Sequence, residues 1–307
     1  MPDLRRGVWF GIAAYTMWGL FPLYWPLLKP SGAVEILAHR MVWSLVAVAA
    51  VLAVRRHWSW FRPLLKQPMK LGLLVLAAMV VTLNWGTYIY AVNSGHVVES
   101  ALGYFINPLV NVLFGVVLLR ERLRPLQWVA VGFGALAVLV LTFDYGRLPW
   151  IALTLAVSFG VYGLLKKRAN VQATEGLAIE TLVLILPALG YIFFLHAGGQ
   201  GTFTDHGLGH ALLLVGGGIG TAIPLICFGA AAIRVPLSTM GLLQYIAPVL
   251  QFACGVLIAK ETMPSSRWIG FSIVWLALAI FTYDGFRTAR AAQRVRKSAR
   301  TLDHVVT

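Results

Sequence analysis

Residues 98–144 and 238–284 align without a gap at a spacing of 140 positions, and 11 of the 47 aligned positions carry the same residue. These are Leu102/Leu242, Ile106/Ile246, Pro108/Pro248, Gly115/Gly255, Val116/Val256, Glu121/Glu261, Trp128/Trp268, Leu136/Leu276, Ala137/Ala277, Thr142/Thr282 and Asp144/Asp284. Each copy holds two apolar runs long enough to cross a bilayer. An internal duplication of this kind, inside a chain embedded in lipid, is the mark of two pseudo-symmetric halves arranged around a shared site.

Composition supports the lipid environment. Of 307 residues, 59% are hydrophobic and only 12% are charged, with a mean hydropathy of +0.78. A soluble domain carries about 25% charged residues. Apolar runs of about 20 residues recur along the whole length, which predicts an all-α polytopic membrane protein. Alternating ten-residue segments, as a barrel would need, are absent. The net charge of +14 sits in short loops between runs, which argues for orientation signals and against nucleic acid. Cys227 and Cys254 fall inside apolar runs and imply no disulfide framework. Leu4–Leu28 is too long and lacks a small-residue cleavage site, so it reads as a retained first span.

Ten transmembrane spans are expected at roughly 7–28, 34–54, 71–92, 97–119, 126–143, 148–165, 177–196, 209–231, 237–259 and 267–286. Residues 1–145 and 146–286 then form two five-helix halves, and 287–307 form a basic cytoplasmic tail. With the N-terminus inside, 20 Lys and Arg residues fall on the inner face. Only Lys29, Arg147, Lys260 and Arg267 fall on the outer one, with Arg40 inside a span. That asymmetry places both termini in the cytoplasm. An odd number of spans per half makes the second half inverted relative to the first. Trp9, Trp58, Trp60, Trp128, Trp150 and Trp268 read as an interfacial belt.

Ser100, Tyr104, Asn107 and Asn111 are spaced by four, three and four residues in the fourth span. At helical periodicity they form one polar stripe. Gln244 and Gln251 stand at the duplicated positions of Tyr104 and Asn111. Polar groups in hydrocarbon are costly, and two related stripes either line a chamber near the midplane or bond neighbouring helices. Pro108 and Pro248 recur within them and predict hinges, since each frees the carbonyl four residues earlier. Asn84 and Tyr88 in the third span, Trp18 in the first and Tyr162 in the sixth complete the candidate solute-binding set. Amide and aromatic groups without fixed charge suit a small organic solute better than a bare metal ion.

Glu35, His39, Arg40, Glu99 and Glu180 are the ionisable residues within spans. Each is a candidate for ion coupling or half of a structural pair, and Glu35 with His39 is at i, i+4 spacing. Proton coupling through Glu99, Glu180 or His39 and uncoupled movement both fit. No metal site is expected: His206 and His210 lack HExxH or CxxC company. No cofactor is implied either. Gly216 and Gly220 give a GxxxG spacing that predicts close helix packing. The basic tail is expected to touch anionic membrane lipid.

Several strings carry a family resemblance. They are Met17-Trp18-Gly19, Glu35-Ile36-Leu37-Ala38-His39-Arg40, Trp43-Ser44, Asn84-Trp85, Ala91-Val92-Asn93, the run from Glu99 to Asn111, Glu121-Arg122, Ser158-Phe159, Leu237-Ser238-Thr239 and Gln244-Tyr245-Ile246 with Pro248. From about residue 6 to 286 the chain resembles the EamA group of the drug/metabolite transporter superfamily, and within it the RarD branch, named for chloramphenicol sensitivity. The resemblance implies two inverted EamA repeats around a cavity open to one side at a time, and movement of metabolites or drugs across the bacterial inner membrane, with export the expected direction. It fixes neither solute nor energy source.

Other classes are less well supported. A membrane-embedded enzyme needs a catalytic set, and Asp144 and Asp284 are expected on opposite membrane faces. A channel would carry a ring of like charges or a carbonyl filter. The expected function is therefore a secondary carrier, with an uncoupled facilitator or channel as the alternative.

Overall fold

The computed structural model describes residues 2–56, 58–119, 122–232, 234–235 and 237–306. Arg120 and Glu121 lie outside the described residues, as do the side chains of Lys167, Ser238 and the tail beyond Thr288. Among the described residues every regular element is helical. They are α1 (Pro2–Gly19), α2 (Phe21–Tyr24), α3 (Ala33–Val54), α4 (Phe61–Leu65), α5 (Pro68–Asn93), α6 (Val97–Leu119) and α7 (Pro125–Tyr145). After these come α8 (Trp150–Ala169), α9 (Ala173–Ala197), α10 (Gly207–Ala232), α11 (Leu237–Leu243), α12 (Ile246–Ala253) and α13 (Ser265–Val306). Seven of them are long and apolar enough to cross a membrane, and α8 and the segment Ile246–Ile258 are shorter apolar helices. Leu186, Phe193, Phe194, Phe143 and Val117 are among many large apolar side chains left exposed on these helices. A surface so greasy is stable only against lipid. Trp9, Trp58, Trp128, Trp150 and Trp268 are exposed as expected of a belt.

The helix starts repeat the duplication. Ala33 and Ala173, Val97 and Leu237, Pro125 and Ser265 each open a helix 140 residues apart. Two expected spans are not continuous helices. The first ends α-helical geometry at Gly19, resumes in α2 and tightens to a 3-10 turn over Trp25–Leu28. Pro22 and Pro26 explain this, because each removes an N–H and crowds the preceding turn. The ninth breaks at Gln244-Tyr245, four residues before Pro248, and changes to π-helical geometry over Cys254–Ile258. Pro108, by contrast, sits inside an unbroken α6.

The chain divides into two compact units. The first holds residues 1–107 and 150–262 and the second holds 108–149 and 263–307, so the division cuts α6 between Asn107 and Pro108. In the first unit α1 packs on α10 and α12, α3 on α9 and α10, and α5 on α8. The pairings come in couples related by the 140-residue shift: α5 with α8 answers α10 with α1. Gly103 of α6 lies on Ala152 of α8, and Leu243, 140 residues beyond Gly103, lies on Gly11 of α1. The close helix contact of α10 falls at Gly218, between the expected pair Gly216 and Gly220, where an added Cβ would collide with the Trp43 and Ser44 backbone, whereas Gly216 meets only the Tyr24 side chain and Gly220 only Phe21 at 3.8 Å. The Ser44 hydroxyl donates to the Gly218 carbonyl at 3.3 Å.

In the second unit α7 pairs with α13. Arg124 Nε donates to Asp284 at 2.8 Å, and Arg267 Nε donates to Asp144 at 2.8 Å. Arg124 at the start of α7 reaches Asp284 well inside α13, and Arg267 at the start of α13 reaches Asp144 at the end of α7, which makes the two helices antiparallel.

Candidate functional site

The polar groups of the first unit are of two kinds: those the protein satisfies itself, and those it leaves bare. Asn84 on α5 donates to the Leu155 carbonyl at 3.0 Å and to the Ser158 hydroxyl at 2.9 Å, and accepts from the Tyr104 hydroxyl at 3.3 Å. Asn107 donates to the Ala156 carbonyl at 3.0 Å. Ser100 turns back to the Val97 carbonyl of its own helix at 2.7 Å. Buried side-chain amides bonded across helices in this way hold a membrane bundle together. The stripe expected on α6 is thus buried at Ser100 and Asn107, half-buried at Tyr104 and exposed at Asn111.

The ionisable residues are mostly committed. Glu99 accepts from the Ile151 backbone N–H at 3.2 Å and so caps the start of α8. Glu180 takes Lys166 Nζ at 2.7 Å and the Tyr162 hydroxyl at 3.1 Å. Lys166, read from sequence only as an orientation charge, is therefore the partner of a buried carboxylate, and the Tyr162 hydroxyl donates to the same carboxylate. Glu35 does not close on His39 as the spacing predicted. It accepts the Thr202 N–H of the loop after α9 at 2.7 Å instead. His39 stacks on Phe203 with ring centroids 4.8 Å apart, and its Nε2 has no partner. His210 bonds Ser31 at 2.8 Å and Thr202 at 3.2 Å.

The uncommitted groups gather elsewhere. Arg40 on α3 is 3% exposed. Its Nε donates to Thr221 of α10 at 2.7 Å, its Cζ lies 3.9 Å from the Trp85 ring centroid, and Trp25 and Phe21 stand at 5.3 and 5.7 Å. Its Nη1 has no partner. Among the described residues no carboxylate pairs with it. A guanidinium in mid-span costs about 2.5–3.5 kcal/mol to insert, which cation–π contact with three rings offsets in part. The hydroxyl of Tyr88 and the indole N–H of Trp25, both buried in one cluster, are also without partners. Tyr88 meets Tyr104 edge-on at 5.7 Å. Gln251 donates Nε2 to the Trp18 carbonyl at 3.3 Å, and its Oε1 is bare. That bond joins α12 to the end of α1, so the two broken helices meet beside their breaks. Gln244, at the break itself, is half-buried, and Pro248 is buried.

Sequence spacing pointed to Tyr88, Tyr104 and Gln251. It missed the aromatic box around Arg40, whose parts come from α2, the Trp25–Leu28 turn and α5. It also missed Thr221. The one usable signal was Arg40 itself, an arginine in an apolar run with no acid at i±3 or i±4.

Residues 5–143 match the EamA-like transporter family. Protein RarD of Streptomyces exfoliatus is 61% identical over 301 residues, spanning 98% of this chain and 96% of that protein. The chain belongs to the EamA family, in its RarD branch. A Pseudomonas aeruginosa protein named as a transporter is 44% identical over 288 residues, 94% of this chain and 97% of its own. A crystal structure with 22% identity covers 90% of this chain and 97% of its own at a TM-score of 0.57, a likeness of fold. As an EamA protein the chain is a multi-pass membrane transporter, and the bare polar groups of the first unit are where its solute site is to be sought.

Proposed function

We propose that this EamA protein is a secondary carrier that moves a small organic solute across the cytoplasmic membrane by alternating access, with export as its direction. The observation that carries this reading is the meeting of two broken helices beside buried polar groups that the chain leaves unpaired. Discontinuous helices with free backbone groups are the usual makings of a solute site in such carriers. The couples of helix pairings related by a 140-residue shift support two inverted five-helix halves. Adding α1, α8 and the α11–α12 segment to the seven long helices gives ten crossings. The unit boundary at Pro108 supports a hinge there, with the Gln244-Tyr245 break as its counterpart before Pro248.

The 20-to-4 distribution of Lys and Arg supports both termini inside. Single-cysteine labelling at Asp3 and Thr307 with an impermeant maleimide, in a background lacking Cys227 and Cys254, checks this. Both positions are expected to react only after the membrane is opened. Reaction of either in intact cells would overturn the topology.

The decisive experiment is an untargeted metabolite comparison between cells lacking and overproducing the chain, followed by uptake of the leading solutes into proteoliposomes. Saturable, counterflow-competent flux is expected. Flux through Gln251→Ala and Gln244→Ala is expected to fall at least about tenfold, the effect of losing roughly 1.4 kcal/mol of stabilisation, while both variants elute as folded protein. Wild-type rates in both would remove them from the site. A rate linear in solute concentration without counterflow would favour the facilitator reading.

A further inference from the structure

The position 140 residues on from Arg40 is Glu180. Both are buried at equivalent places, about two turns beyond the equivalent starts of α3 and α9. Yet the chain treats them differently. Glu180 receives a counter-charge from Lys166 and a hydroxyl from Tyr162. Arg40 receives one hydroxyl, from Thr221, and three aromatic rings, and its Nη1 is bare.

The groups left bare around it share one chemical character. Arg40 Nη1 and the Trp25 indole N–H can only donate, and the Tyr88 hydroxyl needs an acceptor for its proton. Trp25 lies 5.3 Å from the guanidinium and packs in one cluster with Tyr88. Donors gathered without an acceptor, around a cation without an anion, describe the negative image of an oxyanion. Aromatic rings pack against the guanidinium and Nε is held by Thr221, so approach is left to the Nη edge, where no hydrogen bond is made. A single cation with two neutral donors suits a monoanion. A phosphate dianion would need a second cation.

We propose that Arg40 docks the carboxylate of the transported solute, with the Tyr88 hydroxyl and the Trp25 N–H as its further donors. The inference rests on the carrier reading above and narrows its solute to organic carboxylates. Loading the site would supply the missing counter-charge, so the binding energy includes relief of an unpaired buried cation.

The test is a melting-temperature series on the purified full-length protein at constant ionic strength. The probes are matched acids and amides: hexanoate and hexanamide, phenylacetate and phenylacetamide, lactate and lactamide, with inorganic phosphate beside them. At least one carboxylate is expected to raise the melting temperature saturably, with no response to its amide. In Arg40→Gln its apparent affinity is expected to fall roughly 10- to 100-fold, the span for a lost charge-assisted hydrogen bond. If Arg40→Gln does not fold, Tyr88→Phe decides, and a several-fold weakening for the acid alone is expected there. Equal responses to acid and amide, an undiminished response in the variants, a response to phosphate only, or silence from every carboxylate would each overturn the proposal. Carboxylate binding without flux in proteoliposomes would leave the docking site standing and remove the carrier. Flux of the solutes found by metabolite comparison, unchanged in Arg40→Gln, would do the reverse.

Discussion

Replacing Gly218 by valine is expected to leave almost no folded protein in a detergent extract. A Cβ at this position would stand 2.4 Å from the Trp43 carbonyl carbon and 2.6 Å from the Ser44 nitrogen. Those atoms belong to the α3 backbone, so no rotamer change relieves the clash and the two helices must part. Overpacking typically costs about 1–3 kcal/mol, and more when backbone must move. Separation would also stretch the Ser44 bond to the Gly218 carbonyl and the Arg40 bond to Thr221 one turn further on. Fluorescence-detected gel filtration and melting temperature measure the loss. Gly229 on the same helix is the control, since a Cβ there meets nothing within 4 Å. Gly229→Val is expected to melt within a few degrees of wild type; an equal loss in both would mean that valine itself, not the helix contact, is the cause.

Replacing Lys166 by methionine is expected to cost about 3–5 kcal/mol, the usual penalty for stripping a buried charge of its partner. Glu180 is 1% exposed and would keep only the Tyr162 hydroxyl. The double variant Lys166→Met with Glu180→Leu is expected to recover most of that loss, because two apolar groups replace both charges. The measurement is a double-mutant cycle on melting temperature. A double variant no more stable than Lys166→Met would show that the pair is not what holds α8 to α9.

Much of the architecture was legible because it depends on periodicity and composition. Apolar runs gave the helices, and the 140-residue shift reappears in their starting points and pairings. The glycine cluster of α10 announced a close helix contact, but the contact falls at Gly218 and not on the Gly216–Gly220 face that the GxxxG spacing singled out. The breaks were only half visible. Pro248 does interrupt its helix, whereas the equivalent Pro108 does not, and identical residues in the two halves cannot announce that difference. Which polar groups stay free was hidden most deeply. Asn84 and Asn107 look from sequence like solute ligands and spend their donors on α8 carbonyls. Whether an amide is spent depends on what faces it across a helix pair, and one-dimensional spacing does not contain that. The Glu35–His39 pairing failed for the same reason, because the Thr202 N–H comes from a loop 167 residues away.

The two ion pairs between α7 and α13 have a consequence for any attempt to divide the chain. Arg124 and Asp144 belong to its first stretch, Arg267 and Asp284 to its last. Severed in the Gly146–Pro149 loop, each fragment would carry an arginine and an aspartate roughly five turns apart along one helix, with neither able to reach the other. Only reunion of the two pieces would cancel those four charges, so split halves should be found together or not at all.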